Sequence, residues 1–78
     1  MEITIYTKTG CYACEATKRA MDRAGLSYEV VDVTFNQPAR EVLLSNGFLT
    51  VPVVEVLENE SVRYWGGFRP DLIEGLSK

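Results

Sequence analysis

Two cysteines, Cys11 and Cys14, are the residues of this chain best suited to chemistry, and only Tyr12 and Ala13 separate them. They stand between a strand-like run and a helix-like run, and residues three apart on a helix share one face, so the two thiols can pair. At a helix N-terminus, free N–H groups and the helix dipole favour thiolate over thiol. We therefore expect Cys11 to attack a disulfide and Cys14 to displace the product, which leaves the pair oxidised and the substrate reduced.

The composition excludes most other chemistries. None of the 78 residues is histidine, which removes imidazole acid–base catalysis, Cys–His nucleophile pairs and imidazole metal ligands. The formal net charge is −3 and no basic cluster is present, so we expect no binding to nucleic acid. No apolar run approaches the roughly 18 residues of a membrane span. The length and the 46 % of hydrophobic residues predict one globular domain, residues 1–78, which we expect to be a monomer.

The N-terminal sequence and the number of cysteines both bear on the cellular compartment. The chain starts in a strand pattern, Met1-Glu2-Ile3-Thr4, without a basic leader, so we expect a protein that is not exported. A structural disulfide framework in a small secreted protein normally uses four or more cysteines at wider spacing. We therefore expect a cytoplasmic protein.

Periodicity predicts four strands and three helices. The strands are predicted at residues 3–7, 28–33, 51–57 and 62–65, with a hairpin turn at residues 58–61. The first helix is predicted from Tyr12 to Ala24, with an inward stripe formed by Met21 and the alanines, and Gly25 ends it. The second helix is predicted from residues 36–38 to residues 46–47, and the third opens at residues 68–71.

The order βαβαββα, with Cys-x-x-Cys at the first helix, predicts the compact thioredoxin fold, an α/β fold in which three helices flank a mixed four-stranded sheet. The near-continuous valines of residues 28–33 predict a second strand that lies beside the first and is buried on both faces.

The sequence also resembles a known family, the NrdH-redoxins, which are glutaredoxin-like proteins. The similarity covers residues 1–77 and is carried by four motifs: Ile-Tyr-Thr-Lys, Ala-Thr-Lys-Arg-Ala-Met, Val-Pro-Val-Val and Trp-Gly-Gly-Phe-Arg-Pro-Asp. The resemblance implies a dithiol–disulfide oxidoreductase that donates electrons to the large subunit of a class Ib ribonucleotide reductase. It further implies reduction by thioredoxin reductase and NADPH, with no bound cofactor.

We expect a partner-binding surface around the cysteines that includes Tyr12 and Ala13, and Tyr12 either touches a partner or shields the redox pair. The resemblance implies a cis peptide between Val51 and Pro52, whose backbone pairs with an incoming peptide; an ordinary proline at a strand edge is the alternative. Gly66 and Gly67 either end a strand or form part of a glutathione site, as a glycine pair does in glutaredoxins.

A glutathione-dependent glutaredoxin is therefore the alternative function. NrdH-redoxins more often carry Ser-Gly after the tryptophan, so Gly66 departs toward the glutaredoxins. Against this alternative, the acidic residue that follows the glycines arrives only at Asp71, and Cys-Tyr-Ala-Cys differs from the Cys-Pro-Tyr-Cys that is common in glutaredoxins.

Four further residues have a supporting role in the prediction. Trp65, Phe68 and Arg69 either cap the core or stabilise the loop that faces the active site, and the resemblance suggests a hydrogen bond from Arg69 to the Cys11 loop. Lys8, three residues before Cys11, either adds positive potential at the thiolate or is simply solvated.

A binding module is the rival from another functional class. Two chains that contribute two thiolates each could hold zinc or an iron–sulfur cluster, whereas one chain lacks the four ligands. A pure interaction domain with an inert thiol pair is a further alternative. We assign no metal ligand in the single chain.

Overall fold

The computed structural model describes residues 1–77, and this part of the chain forms four strands and three helices in the predicted order. Lys78, the last residue of the predicted domain, lies outside the described residues. The strands are β1 (Glu2–Thr7), β2 (Glu29–Asp32), β3 (Val53–Glu58) and β4 (Ser61–Gly66), and the helices are α1 (Tyr12–Arg23), α2 (Gln37–Ser45) and α3 (Pro70–Leu76). This order confirms the compact thioredoxin fold.

The four strands form one mixed sheet in the order β2-β1-β3-β4. β1 pairs in parallel with β2 and antiparallel with β3, and β3 pairs antiparallel with β4. Parallel pairing brings the C-terminal ends of β1 and β2 to one edge of the sheet, which is also where β3 begins and β4 ends. The loop that follows β1 carries Cys11 to this edge.

Side chains alternate between two hydrophobic cores, one on each face of the sheet. The helices α1 and α3 cover one face, where the buried cluster consists of Ile3, Ile5, Met21, Val54, Val56, Trp65, Ile73 and Leu76. The helix α2 covers the other face, where the buried cluster consists of Tyr6, Val33, Leu43 and Val53. None of the helices within residues 1–77 has the length and hydropathy required to cross a membrane.

The burial predicted for β2 is wrong, although its parallel pairing with β1 is confirmed. β2 is an edge strand with one neighbour, and Val30 is 47 % exposed. Repeated valines are typical of a strand that is covered on both faces, but sheet position decides burial, and here the outer side of Val30 is left uncovered.

The inward face of α1 differs from the predicted stripe of alanines. Cys14, Thr17 and Met21 form the fully buried line, and the alanines flank it in partly buried positions. Thr17 tolerates burial because its hydroxyl donates a hydrogen bond to the Ala13 carbonyl oxygen at 2.8 Å. The predicted stop at Gly25 is confirmed: Gly25 has φ +73°, and the next amide, Leu26 N–H, closes the helix end on the Met21 carbonyl.

The hairpin that follows α2 is longer than predicted. β3 starts at Val53, so Val51 and Pro52 lie in the loop that precedes it, and the strands continue through Glu58 and Ser61. Only Asn59 and Glu60 form the turn, with φ values of 51° and 67°. Asn59 adopts the left-handed conformation readily, which allows a two-residue turn at this point.

Candidate active site

The two cysteines are joined by a disulfide bond at the start of α1. Cys11 is the N-cap residue, with extended backbone angles of φ −99° and ψ 108°, and Cys14 lies in the first turn. Cys14 is 0 % exposed, whereas Cys11 is partly exposed. Of the two sulfur atoms, the one of Cys11 is therefore the one that an incoming disulfide can reach.

The start of α1 directs donors at Cys11. The Cys14 amide donates a hydrogen bond to the Cys11 Sγ at 3.1 Å, and the Glu15 amide donates to the Cys11 carbonyl oxygen at 3.2 Å. The Cys14 amide and the positive end of the helix stabilise negative charge on the Cys11 sulfur, whereas the Glu15 amide closes the first backbone hydrogen bond of the helix. The exposed Glu15 carboxylate forms an ion pair with Lys18, so its charge is compensated within the helix.

The segment before β3 lies directly against the redox pair. The Cys11 Sγ is 3.9 Å from the Val51 carbonyl oxygen. The Val51–Pro52 peptide bond is cis, as the family resemblance implied, and Pro52 is fully buried. Residues 40 positions apart in sequence therefore meet at the active site.

The two glycines after Trp65 differ in backbone conformation and in the space around them. Gly67 has φ +83°, and its N–H donates to the Pro52 carbonyl oxygen at 2.8 Å, so it connects the end of β4 to the Pro52 loop. Gly66 has no such backbone demand; a Cβ built there would lie 3.4 Å from the Phe48 ring and 3.9 Å from the Pro52 carbonyl oxygen. Both glycines border the site through Pro52.

Trp65 and Phe68 lie away from the cysteines. Trp65 is buried in the core beneath α1 and α3, and its Nε1 has no hydrogen-bond partner among the described residues. Phe68 is 40 % exposed and lines a groove beside the C-terminal half of α1, with Ala20 and Ala24. For Trp65 the structure agrees with the core-capping interpretation.

The predicted hydrogen bond from Arg69 to the Cys11 loop is wrong. Its Nε and Nη2 donate to the two carboxylate oxygens of Asp71, at 3.2 Å and 3.0 Å. The two residues are only two positions apart at the start of α3, and this local bidentate geometry engages the guanidinium. The hydrogen bond lowers the pKa of Asp71 and raises the pKa of Arg69.

Two grooves flank the redox pair. The Cys11 groove, about 640 Å³, is lined by residues 7–12, Glu15, Lys18, Val30 and Asp32. The Val51 groove, about 150 Å³, is lined by Lys8, Val33, Arg40, Leu43, Leu44 and residues 48–51. Tyr12 is 92 % exposed in the Cys11 groove, Ala13 is partly buried behind it, and Lys8 is exposed and borders both grooves.

Sequence reasoning missed the far walls of these grooves. Val30, Asp32, Arg40 and Leu49 belong to β2, α2 and the loop before β3, and none of them stands in a motif with the cysteines. Leu49 is 84 % exposed, and this unusual exposure of a leucine cannot be read from the sequence.

Within residues 1–77, no group of three or more His, Cys, Asp or Glu side chains is placed to hold a metal ion. The redox pair supplies two thiolates, so a zinc or iron–sulfur centre would need ligands from a second chain. The dimeric metal site therefore stays an alternative that only metal analysis of the purified protein can test.

Known proteins are similar to this chain in sequence over most of its length. The sequence model of the glutaredoxin family matches residues 3–62. The glutaredoxin-like protein NrdH of Salmonella typhimurium is 43 % identical over 76 residues, which cover 97 % of this chain and 89 % of that protein. The gene 56 protein of Mycobacterium phage D29 is 36 % identical over 78 residues, which cover 95 % of this chain and 80 % of that protein.

The same relationship holds in three dimensions. The solved structure of the glutaredoxin-like protein NrdH-redoxin from Escherichia coli superimposes with a TM-score of 0.87 at 43 % identity, covering 97 % of this chain and 95 % of that one. With its Cys11–Cys14 pair, this chain therefore belongs to the NrdH-type proteins of the glutaredoxin family and is a thiol–disulfide oxidoreductase.

Proposed function

We propose that this protein reduces the disulfide of a ribonucleotide reductase large subunit, with Cys11 as nucleophile and Cys14 as resolving cysteine. The observation that carries the roles of the two cysteines is the asymmetry of the pair: Cys11 is accessible and accepts the Cys14 N–H at 3.1 Å, whereas Cys14 is 0 % exposed. The choice of substrate is supported by the similarity to the NrdH proteins. Electrons come from NADPH through thioredoxin reductase, and the protein carries no bound cofactor. It acts as a monomer in the cytoplasm.

The reaction follows from this geometry in two exchange steps. In the reduced protein the Cys11 thiolate attacks one sulfur of the substrate disulfide; a mixed disulfide forms, and the other substrate sulfur leaves as a thiolate that takes up a proton. Cys14 then loses its proton and attacks the Cys11 Sγ, which releases the second substrate thiol and closes the Cys11–Cys14 disulfide. Two electrons move from the dithiol to the substrate.

The Val51 segment is the proposed docking position for the substrate chain. Its carbonyl oxygen lies 3.9 Å from the Cys11 Sγ, so a peptide that places its cysteine at Cys11 brings its own backbone to Val51. Hydrogen bonds between extended backbones bind a peptide with little demand on its side chains. Pro52 and Gly67 support this segment, because the Gly67 amide donates to the Pro52 carbonyl oxygen.

The hydrogen bonds that Asp71 accepts from Arg69 weigh against glutathione as the reductant and so favour thioredoxin reductase. In glutaredoxins an acidic residue close to the glycine pair helps to hold glutathione. Here both carboxylate oxygens of Asp71 already accept hydrogen bonds from Arg69. A glutathione ammonium group would have to compete with this guanidinium, which weakens the case for the glutathione-dependent alternative.

The test couples NADPH oxidation to either reductase system, with a ribonucleotide reductase disulfide as the acceptor. We expect turnover with thioredoxin reductase and none above background with glutathione and glutathione reductase. Turnover with glutathione alone would replace the proposal by the alternative function. Arg69→Ala, which frees Asp71, is expected to raise only the glutathione-dependent rate, and Arg63→Ala, at an exposed position of β4, is the matched control.

A further inference from the structure

The Cys11 groove lies on the opposite face of the sheet from the proposed docking position for protein substrates. Val30 of this groove pairs with Ile5, whose side chain belongs to the core under α1. The Val51 groove is instead lined by Val33 and Leu43 of the core under α2. Lys8 is the only residue that the two linings share. Cys11 is therefore approached by two separate surfaces, and the proposed function uses one of them.

The charges of the Cys11 groove are balanced. Lys8 and Lys18 contribute two positive charges, and Glu15 and Asp32 contribute two negative charges, so the lining sums to zero. A groove of this kind gives no net electrostatic attraction to a ligand with charges of one sign and is complementary to a ligand that carries both signs.

Two of these four charges are available to a ligand. Lys18 and Glu15 form an ion pair with each other. Asp32 uses Oδ1 to accept the Thr34 N–H at 2.8 Å, which leaves Oδ2 as an acceptor. Lys8 is exposed and forms no ion pair within residues 1–77. The groove thus presents one ammonium group and one carboxylate oxygen, with Cys11, Tyr12 and Val30 on the same lining.

We propose that the Cys11 groove binds small zwitterionic disulfides of the cystine class and that the protein reduces them. The carboxylate of one half-cystine pairs with Lys8, its ammonium group pairs with Asp32, and its apolar Cβ–sulfur portion lies near Tyr12 and Val30. The volume of about 640 Å³ is in the range of small-ligand sites. This inference rests on the proposed roles of Cys11 and Cys14.

The chemistry balances without a further reactant in a single turnover. The Cys11 thiolate attacks one cystine sulfur, a Cys11–cysteine mixed disulfide forms, and one cysteine leaves and is protonated. Cys14 gives up its proton and attacks the Cys11 Sγ, the second cysteine leaves, and the protein disulfide closes. One cystine becomes two cysteines at the expense of one protein dithiol.

The test measures second-order rate constants for single-turnover oxidation of the pre-reduced protein by four disulfides of different charge. Cystine is zwitterionic, cystamine carries only cations, dithiodipropionate carries only anions, and bis(2-hydroxyethyl) disulfide is uncharged. The four differ in intrinsic reactivity, so each rate is compared between the wild-type protein and a variant.

Two variants change the charges of the groove with little change of shape. Asp32→Asn keeps an oxygen that accepts the Thr34 N–H, and Lys8→Met keeps the length of the side chain. Arg19→Met removes a charge from an exposed position of α1 outside the groove.

We expect Asp32→Asn and Lys8→Met each to slow the cystine reaction about fivefold, in keeping with one partly exposed charge pair. Both should leave bis(2-hydroxyethyl) disulfide unchanged, and Arg19→Met should leave the cystine rate unchanged. If Lys8→Met slows all four reactions alike, Lys8 acts on the Cys11 thiolate and the binding site is refuted. Equal cystine rates in the wild type and both groove variants would refute it as well.

An additional assay with a protein disulfide distinguishes this inference from the proposed function. The same variants are assayed with the ribonucleotide reductase disulfide, which docks at Val51, and we expect wild-type rates for Asp32→Asn. If the protein reduces the reductase disulfide, but the groove variants do not change its rates with the small disulfides in a charge-dependent way, the proposed function stands and the cystine site is refuted. A wild-type protein that reduces no disulfide refutes the proposed function itself.

Discussion

At the residue scale, the two cysteines have the same side chain but differ in exposure and in position on α1. Cys11 caps α1 with extended backbone and meets solvent, whereas Cys14 lies one turn further and is enclosed by the core. The same amide group, Cys14 N–H, donates to the sulfur of its partner. We therefore expect a substrate disulfide to react with the accessible Cys11 and the buried Cys14 to resolve the mixed disulfide.

This asymmetry predicts opposite behaviour for the two serine variants. Cys14→Ser should accumulate a mixed disulfide between Cys11 and the substrate protein, because no second thiol can release it. Cys11→Ser should form none and lose turnover to background. Non-reducing electrophoresis followed by mass spectrometry identifies the adduct. Normal turnover of Cys14→Ser would rule out the two-cysteine mechanism.

The adjacent glycines after Trp65 provide a matched pair of stability variants. Gly67→Ala should lower the free energy of unfolding by about 1 kcal/mol or more, since φ +83° strains any residue with a Cβ. Gly66→Ser should change it by less than about 1 kcal/mol, because its Cβ needs only a small shift of the Phe48 ring at 3.4 Å. Urea unfolding measures both, and an equal loss in the two variants contradicts this distinction.

At the element scale, the β3–β4 hairpin carries a polar contact on the face of the sheet covered in part by α2. The Tyr64 hydroxyl donates to the Glu55 Oε2 at 2.9 Å across the strand pair. This hydrogen bond, and then burial, raise the pKa of Tyr64. Burial, and then the charge of Glu55, raise the pKa of Tyr6 on the neighbouring strand β1. The Glu55 carboxylate thus contributes to the raised pKa of a tyrosine on each neighbouring strand, Tyr6 on β1 and Tyr64 on β4.

Tyr64→Phe should therefore change both stability and its dependence on pH. At neutral pH the free energy of unfolding of the variant should be about 1 kcal/mol lower, because the hydrogen bond to Glu55 is lost. The raised pKa means that the folded state favours the neutral phenol, so the stabilisation is complete below about pH 10 and is lost as the pH rises through the folded-state pKa. Urea unfolding at pH 7 to pH 11 should give a shallower decline for the variant above about pH 10.

Tyr12→Phe is the control for that series, because it removes one phenol from a side chain that is 92 % exposed. It should reproduce the wild-type pH dependence. A Tyr64→Phe profile parallel to the wild type above about pH 10 would mean that the contact with Glu55 does not contribute to folding.

At the scale of the whole molecule, the redox helix is held by one of the two cores. Met21 of α1 is 0 % exposed and packs against the sheet cluster that also receives Ile73 and Leu76 of α3. The active-site loop and the Pro52 segment meet at the edge of that sheet. Core packing between α1 and the sheet therefore holds the helix whose N-cap is Cys11.

Met21→Ala should lower the free energy of unfolding by about 2 to 5 kcal/mol, because it leaves a cavity in this core. Met21→Leu, which conserves volume, should cost less than about 1.5 kcal/mol. Urea unfolding of the oxidised protein tests the pair, and Leu49→Ala, at a residue 84 % exposed, should have little effect. Similar losses for Ala and Leu at position 21 would contradict the packing argument.

The sequence by itself determined the order of the elements, the redox pair and its place at the start of α1. These features are encoded locally: period-two and helical patterns define the elements, Gly25 ends α1, and two residues separate the cysteines. The resemblance carried by four short motifs added the family and the cis peptide before Pro52.

Only the tertiary structure decided which residues meet. Val30 is exposed because sheet order makes β2 an edge strand, and Arg69 turns to Asp71 because a local bidentate pair forms at the start of α3. Asp32 reaches the Cys11 groove because parallel pairing brings the ends of β1 and β2 together. Strand order brings Val30 and Asp32 of β2 to the Cys11 groove although they are distant from Cys11 in sequence, and no local pattern encodes that order. The Arg69–Asp71 pair is local in sequence, but its side-chain geometry is set only in the folded start of α3.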